Sequence, residues 1–598
     1  MSDEAIRDFL EAQGSTAAFP SEHVPLGSTS ALGTRLLQLF GWGHISANTV
    51  QWLAEGAIMD GAKNVLLSTM AEIGTQGRHA GNCRRDLIRS VCKSMTLPQA
   101  MSIEVPFLET SGIIAYGSAS VLNPLAVLET LHSKHSAIFE EVIGSDMAAF
   151  WRQVRRDDPR LLRLNALHGG DSWQATAIPL CLHGDGGRFT KKNENSLLCV
   201  TAKSLARSGP TPLGMIPLFF MAKQCRATES KQGEDTVDIL WEHVVHILQA
   251  ALRGFHPIDD PYSAQWPKGL TRDLAGKPLC GGKYSVVIWN ITGDLEYLSN
   301  ELKLNHFSSN SPCWHCKVSR DKGSPYPMTD LSLKAAWKSA PRTCELAETS
   351  KHPLFKLPYL VKESIPGDLM HSGDLGVAQY FAGSVMFELT HCGELGETPA
   401  LACEALWELI REGYKKVCFS SRLTALTVEM YYHRNDWPRL SAKAAETNAV
   451  VFILRDILEQ RNDGSDHHQH RLKACSALCD FYVLVKDSPL FPTPFQSAAM
   501  MKAVERHLLH SGWLLKRSIG LDLLAYPVMV KHHCLWHLAD LGKWQNPRSV
   551  WCYDFEDYIG DAITAAKSCL AGTPLSQIGN KVMSNFLLVF QIGISMKQ

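Results

Sequence analysis

Two pairs of potential metal ligands, more than 200 residues apart, most constrain how this chain can fold. Cys313 and Cys316 form a Cys-x-x-Cys pair, and His533 and His537 stand four residues apart. On a helix, residues four apart share a face, so both imidazoles can reach one ion. Two thiolates and two imidazoles make a tetrahedral Cys₂His₂ zinc site. Either pair alone is a weak signal, but together they predict structural zinc. His532 is an alternative ligand to His533, with a spacing that suits one helix face less well.

A carboxylate stands at the same separation from each half of this site. Asp294 precedes Cys313 by 19 residues, and Glu556 follows His537 by 19 residues. A zinc ion held by both halves would therefore bring Asp294 and Glu556 together and close a large insertion in the chain.

Composition sets only broad limits on the class of protein. The 598 residues are 45% hydrophobic and 20% charged, which is typical of two to four globular domains. A net charge of −1 neither requires nor excludes nucleic-acid binding, which depends on local patches. The 17 cysteines follow an N-terminus without a secretory pattern, so we expect reduced thiols in the cytosol or nucleus. No apolar run approaches 18 residues, so no membrane span is expected.

The middle of the chain predicts a mixed sheet. Apolar β-type runs at 175–182, 196–202 and 213–222 precede a helix at 237–252 and a buried strand at 284–291. This β-β-β-α-β order is the one used by ribonuclease-H-like folds. The fold class predicted is therefore α/β, with an RNase H-like mixed sheet that a large, mostly helical insertion interrupts and an additional helical region at the N-terminal end.

Acidic residues end two of the predicted strands. Asp185 follows the first strand and Asp294 the fourth, each beside glycines that we expect to leave room for a bulky ligand. Clustered carboxylates can hold two divalent ions for phosphoryl transfer, and Mg²⁺ suits such hard oxygen ligands. A third acid is expected from a later helix. Glu556 is preferred, because a zinc ion bound by the nearby histidines would bring it towards the other acids. Glu446, in a helical stretch at 440–458, is the alternative.

The pattern divides the chain into five regions. They are a poorly ordered lead-in (1–45), a helical region with possible DNA contact (46–165), the first part of the catalytic core with the cysteine pair (170–322), a helical insertion (323–525) and a C-terminal helical part that completes the core (526–598). Ser46 is predicted to cap the first helix.

Two charged or polar tracts have competing interpretations. The basic stretch Arg152, Arg155, Arg156, Arg160 and Arg163 is typical of a solvated helix face, with phosphate contact as the alternative. The tract 462–470, which ends in three histidines among its last four residues, is predicted as a solvated loop, with metal binding as the alternative.

In order and spacing, the chain resembles the RNase-H-like DDE cut-and-paste DNA transposases, nearest to the CACTA (EnSpm) group and related to the Transib and RAG-type transposases. The similarity covers 175–560, about two-thirds of the chain. The matching segments are Leu182-His-Gly-Asp185-Gly, Gly293-Asp294-Leu with Ser311-Pro-Cys313-Trp-His-Cys316, Pro366-Gly-Asp368-Leu-Met-His371, His533-Cys-Leu-Trp-His537-Leu, and Tyr553-Asp-Phe555-Glu556.

The resemblance implies a function and its cofactors. Asp185, Asp294 and Glu556 would be the DDE acids that bind Mg²⁺ or Mn²⁺ for DNA cleavage and joining, and the cysteines and histidines would hold structural zinc. The partners implied are double-stranded DNA, as transposon ends and target, and further copies of the chain when active, with no membrane partner. The location implied is nuclear, otherwise cytoplasmic. Asp368 and His371 would lie where the insertion begins, with no assigned role.

Two other functions stay open at this point. One is a catalytically inactive, zinc-stabilised DNA-binding or scaffold protein derived from a transposase. The other is a metal-dependent nuclease without strand transfer.

Overall fold

The computed structural model describes residues 30–92, 96–191, 194–208, 211–228, 233–417 and 419–597. They divide into one unit of Met1–Phe40 with Ile45–Lys93, and a second of Gly41–His44 with Ser94–Gln598. Most of the predicted lead-in, 1–29, lies outside the described residues, but its remainder contains a helix at Ala31–Gly41, which the sequence did not predict. Among the residues with described structure, no helix has the length and apolar character that a bilayer crossing requires.

The described residues of the first unit form four helices, α1 Ala31–Gly41 (whose last residue falls in the second unit), α2 Ala47–Met59, α3 Val65–Gln76 and α4 Ala80–Cys92. Ser46 caps α2 as predicted, because its hydroxyl accepts the Thr49 N–H at 3.1 Å. Val50, Met70 and Leu87 are buried between the helices.

The second unit is built on a six-stranded mixed sheet in the order β1-β2-β5-β4-β3-β6. Its strands are β1 Met101–Leu108, β2 Ile114–Val121, β3 Ala177–Arg188, β4 Ser196–Ser204, β5 Ile216–Ala222 and β6 Ser285–Thr292. The last four correspond to the predicted apolar runs. β3, β4 and β5 form an antiparallel meander, and β6 lies parallel to β3 on its other side. The mixed α/β class is thus confirmed.

The β1–β2 hairpin was not predicted and lies inside the region expected to be helical, 46–165. Its strands pair antiparallel over eight residues each, and β2 joins the sheet beside β5. β2 is largely half-buried and carries serine, glycine and alanine, so its sequence lacks the apolar run that marks the buried strands.

Helices fill most of the rest of the second unit. They are α5 Pro124–Lys134, α6 Ser136–Val142, α7 Met147–Gln153, α8 Pro159–His168, α9 Thr211–Gly214, α10 Thr236–Leu252, α11 Leu270–Leu274, α12 Leu346–Thr349, α13 Gln379–His391, α14 Pro399–Lys416, α15 Ala444–Gln460, α16 Asp466–Asp487, α17 Pro494–Gly520, α18 Val530–Leu541, α19 Tyr553–Ser568 and α20 Leu575–Lys597. π-Helical segments span Tyr297–Glu301 and Met370–Ala378.

Two hydrophobic cores occupy the second unit. The sheet core contains residues from Leu97 to Ile365 and from Phe555 to Ile594. The helical core contains residues from Cys313 to Val550. The chain therefore first enters the helical core at the cysteine pair, contributes again to the sheet core between Leu346 and Ile365, and returns to the sheet core at α19.

The long helices of the region 323–525 lie in its later part, and the stretch 303–366 has little regular structure beyond α12 and short 3₁₀ turns. One prediction about this region was wrong. The histidines of the tract 462–470 lie in α16 rather than in a loop, because Ser465 caps that helix by accepting the His468 N–H at 3.2 Å.

One buried histidine gives the helical core a pH dependence. His507 of α17 bonds the Ala474 carbonyl through Nδ1 at 2.9 Å and lies 3.3 Å from the Ser511 hydroxyl through Nε2. Burial lowers the pKa of His507 to about 4, so the folded chain keeps it neutral where an unfolded chain protonates it. Stability from this residue is complete above pH ~6.5 and is lost as the pH falls towards 4.

We therefore expect His507→Gln to reduce the loss of stability between pH 7 and pH 5 by about 2 kcal/mol. Urea or thermal unfolding at the two pH values measures this difference. The exposed His433→Gln is the control. An equal pH dependence in the parent and in His507→Gln would contradict the assignment.

Candidate active site and metal centre

Two acids project from neighbouring parallel strands at matching positions. In the β3–β6 pairing, His183 lies opposite Thr292, and Asp185 and Asp294 each follow two residues later. Residues two apart on a strand share a face, so the register sets both carboxylates at one place on the sheet. Asp185 is still inside β3, opposite Cys199 of β4. The expectation that it follows the end of its strand was therefore wrong, because β3 continues to pair with β4 through Arg188.

The glycines beside these acids make room for protein side chains rather than for a ligand. A Cβ on Gly184 would lie 2.0 Å from the Tyr297 ring, and one on Gly293 would lie 2.5 Å from the same ring. A Cβ on Gly187 would lie 2.1 Å from Ile563 of α19. Because glycine has no side chain, Tyr297 and α19 pack directly on the backbone at the strand ends. The expectation that these glycines leave room for a bulky ligand was therefore wrong.

Glu556 reaches the same place from the first turn of α19. The preceding residue, Phe555, stacks on the His183 ring with centroids 4.0 Å apart, and the Lys203 ammonium lies 4.1 Å from the Phe555 ring centre. Burial, together with the negative charges of Asp294 and Glu556, raises the pKa of Asp185 well above its usual range. The three acids of the predicted site thus lie close enough to interact electrostatically.

The four predicted zinc ligands are also brought together, all buried. The Cys313 sulfur lies 3.6 Å from Nε2 of His537, and the Cys316 sulfur lies 3.4 Å from Nε2 of His533. All four ligand atoms lie within 4.8 Å of one another. Usual zinc–sulfur and zinc–nitrogen bond lengths at tetrahedral angles place such atoms about 3.6 Å apart, so the site has the size that zinc requires.

The electrostatics of this cluster fit a metal. Burial opposes ionisation of Cys313, but the hydrogen bond from Cys316 and the nearby imidazoles lower its pKa well below the usual range. Burial lowers the pKa of His533, so its imidazole is held in the neutral form that binds metals. The alternative ligand, His532, is occupied elsewhere, since its Nδ1 accepts the Met529 N–H at 3.2 Å.

A further pair lies beside the acids. The carboxylate of Asp368 accepts the backbone N–H groups of Met370 at 3.0 Å and His371 at 2.7 Å, and the Nδ1–H of the His371 ring at 2.5 Å. It also accepts the Cys552 N–H at 2.9 Å, immediately before α19. Nε2 of His371 lies 3.8 Å from a carboxylate oxygen of Glu556.

His371 carries a positive charge towards the acids. Burial lowers its pKa, but the hydrogen bond and charge of Asp368, with Asp185 and Glu556 nearby, raise it to about 9. Asp368, His371 and Cys552 could also be considered metal ligands by proximity. Four N–H groups already occupy the Asp368 carboxylate, so we assign this cluster a positioning role. In the sequence, Asp368 and His371 stand out only through the family resemblance. No local pattern indicates that His371 contacts Glu556.

Two residues considered as alternatives, Glu446 for the third acid and Arg160 for phosphate contact, have structural roles elsewhere in the fold. Glu446 accepts the Lys443 N–H at 2.9 Å and so closes the capping box at the start of α15. Arg160, from the basic stretch, is buried, paired with Asp158 at 2.7 Å, and stacked 4.1 Å from the Trp289 ring. It is therefore not part of a solvated or phosphate-binding face.

No protein-family model and no curated protein matches this chain.

Cys316→Ser tests the metal centre. We expect the variant to lose about one zinc per chain and to unfold at a lower temperature, because the ion no longer joins α18 to the cysteine turn. Metal analysis of the purified protein and thermal unfolding measure the two effects. The exposed Cys344→Ser should leave both unchanged. Equal zinc content in the parent and Cys316→Ser would remove the zinc assignment.

Proposed function

We propose that this chain is a DDE-type DNA transposase, or a protein derived from one, that cleaves and joins DNA strands by metal-dependent phosphoryl transfer. The observation that carries the proposal is the convergence of Asp185, Asp294 and Glu556 from two parallel strands and a helix, with Glu556 lying 371 residues after Asp185. Carboxylates are costly to crowd together unless cations balance them, so such a cluster favours a metal-dependent site.

The topology supports an RNase H-like core. An antiparallel meander, with a fourth strand parallel to its first strand and adjacent to it, is the arrangement expected for that fold. The helical core between Cys313 and Val550 takes the place of the proposed insertion. The β1–β2 hairpin extends the sheet at the opposite edge from β6.

The donor set fits Mg²⁺ or Mn²⁺, which prefer carboxylate oxygens. Asp185, Asp294 and Glu556 would hold the ions, and a divalent cation would offset the burial and the repulsion from Asp294 and Glu556 that together raise the pKa of Asp185. When bound, two such ions supply activation of water or a DNA 3′-hydroxyl and stabilisation of the leaving 3′-oxygen.

The protein groups around the acids hold them in place. The Asp294 carboxylate accepts the Tyr297 N–H at 2.6 Å, and that of Asp185 accepts the Gly186 N–H at 2.6 Å. His371, held by Asp368, limits the movement of Glu556. This rigidity suits a site in which the reacting strand, rather than a protein nucleophile, forms and breaks the bonds.

The proposal includes the partners and the setting of the reaction. We propose double-stranded DNA, as transposon ends and target, as substrate, the CACTA-like group as the family, a homo-oligomer as the active form and the nucleus as its location. The Cys₂His₂ cluster is proposed to hold structural zinc.

Asp185→Asn and Glu556→Gln should each reduce Mg²⁺- or Mn²⁺-dependent nicking of DNA by roughly a thousandfold or more. Neither change should lower the unfolding temperature, because each removes a charge from a crowded acidic cluster. Nicking of a supercoiled plasmid, with thermal unfolding in parallel, measures both effects. The matched control is Glu446→Gln, which keeps the helix-capping group and should cut like the parent.

Equal nicking by the parent and Asp185→Asn would overturn the proposed site. Strand transfer separates the remaining functions, and incubation with a labelled DNA bearing a free 3′-hydroxyl end measures it. Joined product supports a transposase, whereas nicking without joining supports a nuclease. A parent that binds DNA but never nicks it, with any divalent ion, supports a scaffold.

A further inference from the structure

A large cavity lies beside the proposed acidic site, on the helical-core side. It encloses about 680 Å³, which is the size of pockets that bind drug-sized or nucleotide-sized molecules. Tyr553, in the first turn of α19, lines it, and Glu556 stands one turn further along the same helix.

Aromatic rings make up much of the wall of this cavity, with Phe419, Phe452, Tyr482, Trp551 and Tyr553 among its lining residues. Trp551 and Tyr553 meet edge to face with ring centres 5.2 Å apart. Polar groups stand between the rings: the Asp374 carboxylate accepts the Tyr553 hydroxyl at 2.8 Å and the Asn448 amide at 3.0 Å. A planar base could stack on the rings and meet these polar groups at its edge.

A second cavity of about 360 Å³ adjoins the first and is basic. Lys203, Arg207 and Arg548 line it, and Arg548 and Trp551 line both cavities. Asp554 also lines it and pairs with Lys203 at 3.4 Å and Arg207 at 3.0 Å. Three cations thus face one carboxylate.

Arg548 stands between the two cavities with its charge available. Its guanidinium lies 4.8 Å from the Trp551 ring centre and donates to the Lys486 carbonyl at 3.2 Å. Arg548 is exposed, and the hydrogen bond described for its guanidinium is to a backbone carbonyl rather than to a carboxylate. Trp551 is half-buried, and an arginine beside an aromatic ring combines a cation with a stacking surface, as at sites that bind single-stranded nucleic acid.

We propose that these joined cavities bind one nucleotide unit, with its base in the aromatic cavity beside Trp551 and its phosphate in the basic cavity at Arg548. The location beside Glu556 assigns that unit to an unpaired position of the DNA strand next to the cleavage site. This assignment to DNA rests on the proposed function, whereas the chemistry of base and phosphate rests on the cavities alone. A free nucleotide has the same chemistry, so the experiment includes both sources.

The test uses the full chain in buffer without added Mg²⁺ or Mn²⁺, so that it does not depend on catalysis and does not strip the proposed structural zinc. The probes are 2-aminopurine deoxyribonucleoside monophosphate and a single-stranded oligonucleotide carrying one 2-aminopurine, whose fluorescence is quenched when the base stacks. We expect the parent to quench the probe, and Trp551→Ala to bind about tenfold more weakly and to quench little. Trp551→Phe should keep most of the binding. Trp52→Ala, at an exposed tryptophan of the first unit, is the matched control for base stacking.

Arg548→Glu tests the phosphate contact and leaves the Trp551 ring in place for base stacking, although it removes the guanidinium that lies on that ring. Arg548 is exposed, so the variant should fold, yet it should bind the strand about tenfold more weakly and with a shallower dependence on salt. Quenching by the oligonucleotide alone identifies the strand as the source of the nucleotide, and equal affinity for the free monophosphate identifies a free nucleotide.

Absence of quenching with both probes, or equal quenching by Trp551→Ala and Trp52→Ala, would overturn the inference. These outcomes are distinct from failure of the proposed function, which shows as metal-dependent nicking that Asp185→Asn leaves unchanged.

Discussion

The meeting of Cys313 and Cys316 with His533 and His537 is the interaction on which the rest of the second unit depends. Its sulfur–nitrogen contacts join residues 224 and 217 positions apart. Closing so long a segment costs conformational entropy, and the binding of one metal ion at a buried tetrahedral site can offset that cost. The contacts also lie where the chain first enters the helical core from the sheet core. A large helical core can therefore be built from the middle of the sequence without separating the strands on either side of it.

The Cys₂His₂ cluster alone does not place Glu556, because Glu556 lies in the first turn of a separate helix, α19, well after His537. Two further contacts complete the placement. Asp368 accepts the Cys552 N–H immediately before α19, and Phe555 stacks on His183 of β3. The first contact ties the start of α19 to the entrance of the helical core, and the second ties it to the sheet. His371 then adds its own contact with Glu556. The third acid is thus positioned by groups from both cores.

These contacts explain what the sequence could and could not predict. The strands β3 to β6 were predicted because buried strands are continuous apolar runs, and the metal ligands because their spacing is local within each half. The β1–β2 hairpin was missed because its second strand is half-buried and poor in large apolar residues. The glycines were misread, since only the folded chain shows that Tyr297 and Ile563 occupy the space beside them. Asp368 and His371 could not be given a role, because their contacts join residues almost 200 positions apart, which no local pattern encodes.

A net charge of −1 is compatible with the proposed DNA substrate, because the charges are unevenly distributed along the chain. Electrostatic attraction to DNA depends on the local field rather than on the sum over the chain. In the basic stretch, Arg160 is used internally, where it pairs with Asp158 and stacks on Trp289, so it adds little to an outer field. Arg548 instead lies exposed against the Trp551 ring and donates to a backbone carbonyl, so its charge contributes to the local field at the two cavities. Negative charge in the acidic cluster would repel the phosphate backbone, and bound divalent ions reverse that effect at the reacting position. Bound divalent ions would therefore strengthen the approach of the phosphate backbone to the reacting position as well as supply the chemistry of cleavage.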